Sequence, residues 1–366
     1  ATLCQSFNCS SCYDLWQSVI SLINPAFGIE RHFFSSNNSF FCTFVAVILN
    51  NFIVKETITF IALLFVVSVS AQINVKAEYI SNSKFYDAVS DSNIGDGSAM
   101  IYSVGALVPL SMQTSEEDDP YQRPTLWGVG LNGTFVKMNN HNFPIGKELP
   151  SEVMNLGVSA IHLRPLKTRW SMLMVLGAGS YTPENRLSSI HIGENVVANG
   201  AVVFIWHWKP NFEIGGGAAL NNTFGYPMLF PALYVKYKGG FADKFTIEAA
   251  SIDGAKIAFG YNFSDNFNLK LVANVGGYAA YLKHNGRKEI FTQQNIITGL
   301  QPEFKIGKHL SIPIIVGTNF LRSGVYQERK LSAMFKSEAK NEDGTPRSSQ
   351  FNPAFYLSAG ITIGGN

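Results

Sequence analysis

The chain has 366 residues, a formal net charge of +2 and 15% charged side chains, against ~25% in typical soluble domains. Nothing in this balance suggests nucleic-acid binding, which requires a clustered basic face. All four cysteines (Cys4, Cys9, Cys12, Cys42) sit near the start, so the rest of the chain has no disulfide, no thiol nucleophile and no soft metal ligand.

In chain order, the first informative segment is Lys55–Gln72. Lys55 opens it, an apolar run covers Ile58–Val67, and Val69-Ser70-Ala71 supplies a small-residue cleavage site. This is the three-part layout of a secretory signal peptide. We read residues 54–71 as that signal, with cleavage predicted after Ala71. Residues 1–53 contain no methionine and read as a non-native upstream extension; a GTG start codon would appear as Val54. Two other readings of this region are weaker. Cys4, Cys9 and Cys12, with His32 and Cys42, lack the paired C-x2-C halves of a zinc site. A membrane anchor over Phe40–Val69 is interrupted by Asn50, Asn51, Lys55 and Glu56, where a spanning helix wants about 20 apolar residues. A lipoprotein needs a cysteine after the signal, and Gln72 stands there.

From residue 72 onward the pattern has period two, the mark of strands with two unlike faces. Phe267, Leu269, Leu271, Ala273 and Val275 share one face, and Asn268, Lys270 and Asn274 the other, with Val272 as the apolar exception. Strands are predicted at 73–83, 97–110, 125–137, 154–165, 170–181, 199–208, 212–222, 228–238, 244–251, 255–263, 267–282, 291–305, 310–321 and 353–363. A soluble β-sandwich also alternates. Three features favour a membrane barrel instead. Aromatics such as Trp127, Trp170, Trp206 and Trp208 cluster near segment ends, as in interfacial girdles. The segments approach the ~10 residues that a tilted spanning strand needs. Link lengths also alternate: those after the fourth, sixth, eighth, tenth and twelfth strands are short, and the others are mostly long. Gln113–Pro124, with its acidic run Glu116–Asp119, is long where a short turn is expected. The prediction is a closed antiparallel transmembrane β-barrel of about 12–14 strands over residues 72–366. Closure follows because lipid leaves no partner for an unpaired backbone group.

Two stretches, NFEIGGGAALNNTFGYPMLFPALYVKYKG (Asn211–Gly239) and KIAFGYNFSDNFNLKLVANVGGYAAYL (Lys256–Leu282), carry a likeness. With their glycine-rich strand and Gly-Tyr-Pro turn, they resemble a family of uncharacterised outer-membrane β-barrel proteins common in Bacteroidota. The resemblance implies a Gram-negative outer-membrane location and a barrel fold, with no activity and no functional residue to carry over. The chain departs from many such barrels by ending in Ile361-Thr362-Ile363-Gly364-Gly365-Asn366 instead of an aromatic residue.

If apolar faces meet lipid, the opposite faces line a lumen. The tentative lining is Lys76, Glu78, Glu213, Lys236, Lys238, Lys244, Glu248, Lys256 and Lys270. Lysines outnumber carboxylates in this set, favouring a small polar or anionic solute. The function expected is therefore a passive, porin-like pore or a small-solute-binding or structural barrel. Its partners would be outer-membrane lipid and the barrel-insertion machinery, with no nucleic acid, cofactor or metal. The alternative is an outer-membrane hydrolase, acting on lipid or peptide, built on loop histidines (His141, His191, His284). No G-x-S-x-G or H-E-x-x-H is present, so no enzyme is expected. His207, between Trp206 and Trp208, is assigned to the girdle. Gly215–Gly217 has no following helix or Lys-Ser/Thr pair and so is no phosphate loop. Strand glycines of this kind allow close backbone approach.

Overall fold

The computed structural model describes residues 71–366, apart from 114–120, 122, 146–147, 168, 222–227, 241–243, 252–253, 285–286, 329–338, 341–345, 348 and 365–366. The predicted extension 1–53, almost all of the predicted signal segment and the acidic run Glu116–Asp119 lie outside the described residues.

Fourteen long strands form one closed antiparallel barrel. They are β1 (Gln72–Asp87), β2 (Ser92–Gln113), β3 (Thr125–His141), β4 (Glu152–Lys167), β5 (Trp170–Thr182), β6 (Val196–Lys209) and β7 (Phe212–Asn221). The remainder are β8 (Met228–Gly239), β9 (Phe245–Ala250), β10 (Ala255–Ser264), β11 (Phe267–His284), β12 (Arg287–Ile306), β13 (Leu310–Ser323) and β14 (Ala354–Ile363). Each pairs with its chain neighbour, and β14 returns to β1 through Ile73↔Ile363, Lys76↔Gly360 and Ile80↔Tyr356. No sheet edge is left at that seam, which satisfies the backbone as lipid demands. Among the described residues no helix is long and apolar enough to cross a membrane.

The short links predicted after β4, β6, β10 and β12 are present, but the other end is mixed: only two residues separate β11 from β12, and four separate β1 from β2 and β9 from β10. Tight turns join β4 to β5, β6 to β7, β10 to β11 and β12 to β13 at one end. Gly307, at φ +63°, makes the last of these; the left-handed region costs glycine nothing. The link between β2 and β3 remains the long exception at this end. One boundary differs from the sequence reading. Lys283–Glu289 is no loop, because β11 and β12 run on to a hairpin at His284↔Arg287.

Side chains sort by strand parity. Leu176 (71% exposed), Leu233 (57%), Leu271 (56%) and Leu300 (52%) stand on the outside among many others. At the turn end the outer surface carries a run of touching rings. Trp170, Trp206, Trp208, Phe212 and Tyr237 follow one another at 5.5–6.1 Å. Phe245, Tyr261, Phe263, Phe267 and Phe304 continue the run at 4.8–5.7 Å. An apolar belt bordered by aromatics is the outer surface of a transmembrane barrel.

The wall is uneven in height. β12 has 20 residues and β9 has 6, about 65 Å against about 20 Å at ~3.3 Å per residue. Above Val275, where pairing with β10 stops, β11 leans onto the opposite wall. The Asn155 amide of β4 donates to the Ala279 carbonyl (2.6 Å) and accepts from the Ala279 N–H (3.2 Å). Tyr281 packs edge-on against Tyr181 of β5 at 6.0 Å. A side chain here replaces the missing ladder partner of a backbone that no strand pairs on that side. The lumen is pinched at this height and filled by Ile80, Val136, Val153, Tyr278, Phe291 and Tyr356, all at most 2% exposed.

Candidate functional site

Below the pinch the lumen is polar. A cavity of about 680 Å³ is lined by Lys76, Glu78, Lys256, Asn274, Asn295 and Gln301, among others. These side chains come from β1, β10, β11 and β12, each on the face opposite the apolar belt. Lys76 pairs with Glu78 at 2.8 Å, and Glu78 also accepts a short hydrogen bond from the Tyr356 hydroxyl. Lys270 bridges Glu248 (3.4 Å) and Glu303 (3.3 Å). Lys256 reaches the same cavity but joins none of these ion pairs. Among the described residues it has no carboxylate within ion-pair distance.

The remaining predicted positions divide. Lys236 stands opposite Glu213 and Glu248 in the ladders, so it shares their inward face, as does Lys238 two residues on. Lys244 precedes β9 in the turn-side link, its carbonyl accepting from the Asn262 N–H at 2.8 Å; it stands at the rim, away from the cavity. Glu213 lies apart from Lys256 and Lys270, bonded to His207 and Tyr234.

The sequence assignment of His207 to the girdle is wrong. Trp206 and Trp208 face out, so parity turns the residue between them inward, where it is 6% exposed. Its Nε2 lies 2.8 Å from Ser171 Oγ and its Nδ1 lies 3.2 Å from Glu213. The histidine of the outer girdle is His162, stacked on Trp127 at 3.8 Å. Glu303 and Ser171 escaped the sequence reading altogether. Parity within their strands would have turned both inward, but their partners come from other strands and have no sequence signature.

Among the loop histidines, the His284 side chain lies outside what the structure describes. His191 Nδ1 faces the Ser189 carbonyl at 2.9 Å. Gly217 fits the predicted close approach, since a Cβ there would strike the Val202 carbonyl. Among the described residues no group of His, Cys, Asp and Glu is arranged to hold a metal ion.

Comparison with solved structures returns other barrels. The β domain of the Bordetella autotransporter BrkA is 9% identical, with 81% of this chain and 99% of that chain covered and a TM-score of 0.33. The Pseudomonas putida toluene transporter TodX is 6% identical, with 80% and 88% covered and a TM-score of 0.32. A Pseudomonas aeruginosa FadL homologue is 9% identical, with 81% and 90% covered and a TM-score of 0.29. The barrel itself is established by its own closed register. No curated protein matches the chain. A family profile described as a domain of unknown function, DUF6268, matches residues 67–364. The chain belongs to the DUF6268 family.

Proposed function

We propose that this protein is a barrel of the bacterial outer membrane that binds a small anionic solute in the turn-side half of its lumen. The reading is of a passive binder with no open through-pore. The outer apolar belt and the aromatic ring at the turn end support contact with lipid, and delivery by the barrel-insertion machinery goes with that location. The observation that carries the proposal is Lys256. It reaches a cavity of about 680 Å³ without an ion pair, while Lys76 and Lys270 are tied to carboxylates. Amide groups of Asn274, Asn295 and Gln301 on the same wall supply the directional donors that fix a bound oxyanion. The filled outer end argues for a blind vestibule over a conducting channel.

The test is calorimetric titration of the purified full chain with inorganic phosphate and with succinate, beside planar-bilayer recording. The proposal predicts saturable binding of one of these anions, weakened at least tenfold in Lys256→Gln, and no steady conductance. Absence of binding by both anions, or a steady open conductance, contradicts it.

A further inference from the structure

At the turn end of the barrel, four successive strands each send one polar side chain to the same spot on the inner wall. They are Ser171 from β5, His207 from β6, Glu213 from β7 and Tyr234 from β8. Ser171 Oγ lies 2.8 Å from His207 Nε2. His207 Nδ1 lies 3.2 Å from Glu213 Oε1. The Tyr234 hydroxyl donates to Glu213 Oε2 at 2.8 Å. Both ring nitrogens therefore have partners, and the partners differ in kind. A carboxylate at Nδ1 selects the tautomer with its proton there, which leaves the Nε2 lone pair directed at the serine hydroxyl. Nucleophile, base and orienting acid thus stand in the order that acyl transfer needs, a constellation recognised by geometry and not by sequence position.

The ladders bring the four together: His207 stands directly opposite Glu213, and Ser171 and Tyr234 lie on the adjoining diagonals. The next inward residues toward the outer end are apolar, with Leu173 on β5 and Ile205 and Val203 on β6. Such surroundings strengthen polar interactions within the group and offer a wall for an aliphatic chain. A cation is placed at the same end. The Arg123 guanidinium lies 5.6 Å from the Tyr121 ring, whose own centre is 5.9 Å from that of the His207 ring. Arg123 Nη1 is 3.5 Å from the Trp170 carbonyl, in the peptide that leads into Ser171.

We propose that Ser171, His207 and Glu213 form a serine-type acyl-transfer site at the turn-side mouth, acting on short-chain carboxylic esters. Ser171 Oγ bonds to the ester carbonyl carbon as His207 Nε2 takes the hydroxyl proton. The carbonyl π pair moves onto oxygen, giving the tetrahedral intermediate; Arg123, whose Nη1 also donates to the Lys167 carbonyl, leaves positive charge at this end of the barrel. Collapse breaks the bond to the alcohol, which leaves with the proton from His207. Water, the second reactant, then repeats the cycle: it gives a proton to His207, adds to the acyl-serine, and releases the acid as Ser171 regains its proton. Glu213 is a positioning residue, and Tyr234 holds Glu213. This goes beyond solute binding and uses residues other than Lys256.

Ser171 and His207 are 3% and 6% exposed, so the test uses a compact probe. The full chain, folded in detergent, is treated with diisopropyl fluorophosphate, and the adduct is located by peptide mass spectrometry. A single adduct on Ser171 is expected, together with hydrolysis of p-nitrophenyl butyrate that Ser171→Ala abolishes. His207→Gln should slow labelling at least 100-fold. Glu213→Gln should slow it and Glu213→Asp restore it, each variant keeping its heat-dependent gel shift. An unmodified Ser171 in the folded wild type, or ester hydrolysis equal in Ser171→Ala, overturns the proposal and leaves the four residues a structural ladder. The wild-type arm requires no variant to fold, and anion binding at Lys256 can fail without affecting it.

Discussion

The two halves of the lumen are built on opposite principles. Toward the outer end, inward positions carry Ile80, Val136, Val153 and Phe291, each fully buried, so the barrel is packed like the inside of a soluble domain. Toward the turn end, the same parity carries Lys76, Glu78, Lys256, Lys270 and Glu303, beside a cavity of about 680 Å³. Arg322 is the instructive exception in the packed half. It is 0% exposed, yet its Nη1 donates to the Gly97 carbonyl at 2.8 Å and its guanidinium lies 3.9 Å from the Phe351 ring centre. The backbone acceptor and the aromatic face replace only part of the water it has lost, since its Nε and Nη2 are buried with no hydrogen-bond partner among the described residues. The contrast teaches that inward-facing and polar are separate properties in this barrel. Closure of the outer end is a matter of side-chain packing, and the proposed solute site lies in the half that packing leaves open.

That contrast can be broken from either side. Phe291→Ala should have the largest effect, about 3–5 kcal/mol for a buried aromatic that leaves a cavity. It should appear as a lower urea midpoint and as new conductance in bilayers. Lys236→Gln, at an exposed inward position, should leave the midpoint within about 0.5 kcal/mol of wild type. Leu233→Arg places a charge on the lipid face and should cost about 2–4 kcal/mol if that position lies near the midplane, read as the same midpoint in lipid vesicles. Asn155→Ala removes both bonds to Ala279 and should cost about 2 kcal/mol, with intermittent conductance as β11 loosens. Lys270→Gln should be the mildest of the destabilising changes, about 1–2 kcal/mol. Glu303 and Glu248 would each lose their Lys270 partner, while the glutamine amide can still donate to one of them.

The strand count and the tight turns at one end were legible because parity and turn chemistry are local. Phe267–Val275 shows its two faces within nine residues, and the structure keeps them. Val272, the apolar exception on the polar face, shows the inner cluster reaching down between Lys270 and Asn274, where it is 1% exposed. That sign was available but could not be interpreted, since one valine does not say what meets it across a barrel. The lean of β11 onto β4 and β5 was not legible either. It depends on β10 ending near Ala255 while β11 continues, a mismatch between strands that no single segment encodes. His207 was misplaced by reading composition ahead of parity: two tryptophans on either side of a residue in a strand assign it to the other face. Its partners Ser171 and Glu213 lie on the two flanking strands, within reach only after the ladder is registered.

The most direct test of the account is the orientation of the wall. Single cysteines are placed at Leu269, Leu271, Ala273 and Val275, and at Asn268, Lys270 and Asn274, with Cys4, Cys9, Cys12 and Cys42 replaced by serine. Each is spin-labelled in lipid vesicles, and its collisions with dissolved oxygen and with a water-soluble nickel chelate are compared. The account predicts oxygen maxima at 269, 271, 273 and 275 and chelate maxima at 268, 270 and 274. Chelate access equal at all seven positions, or maxima in the reverse phase, would contradict it.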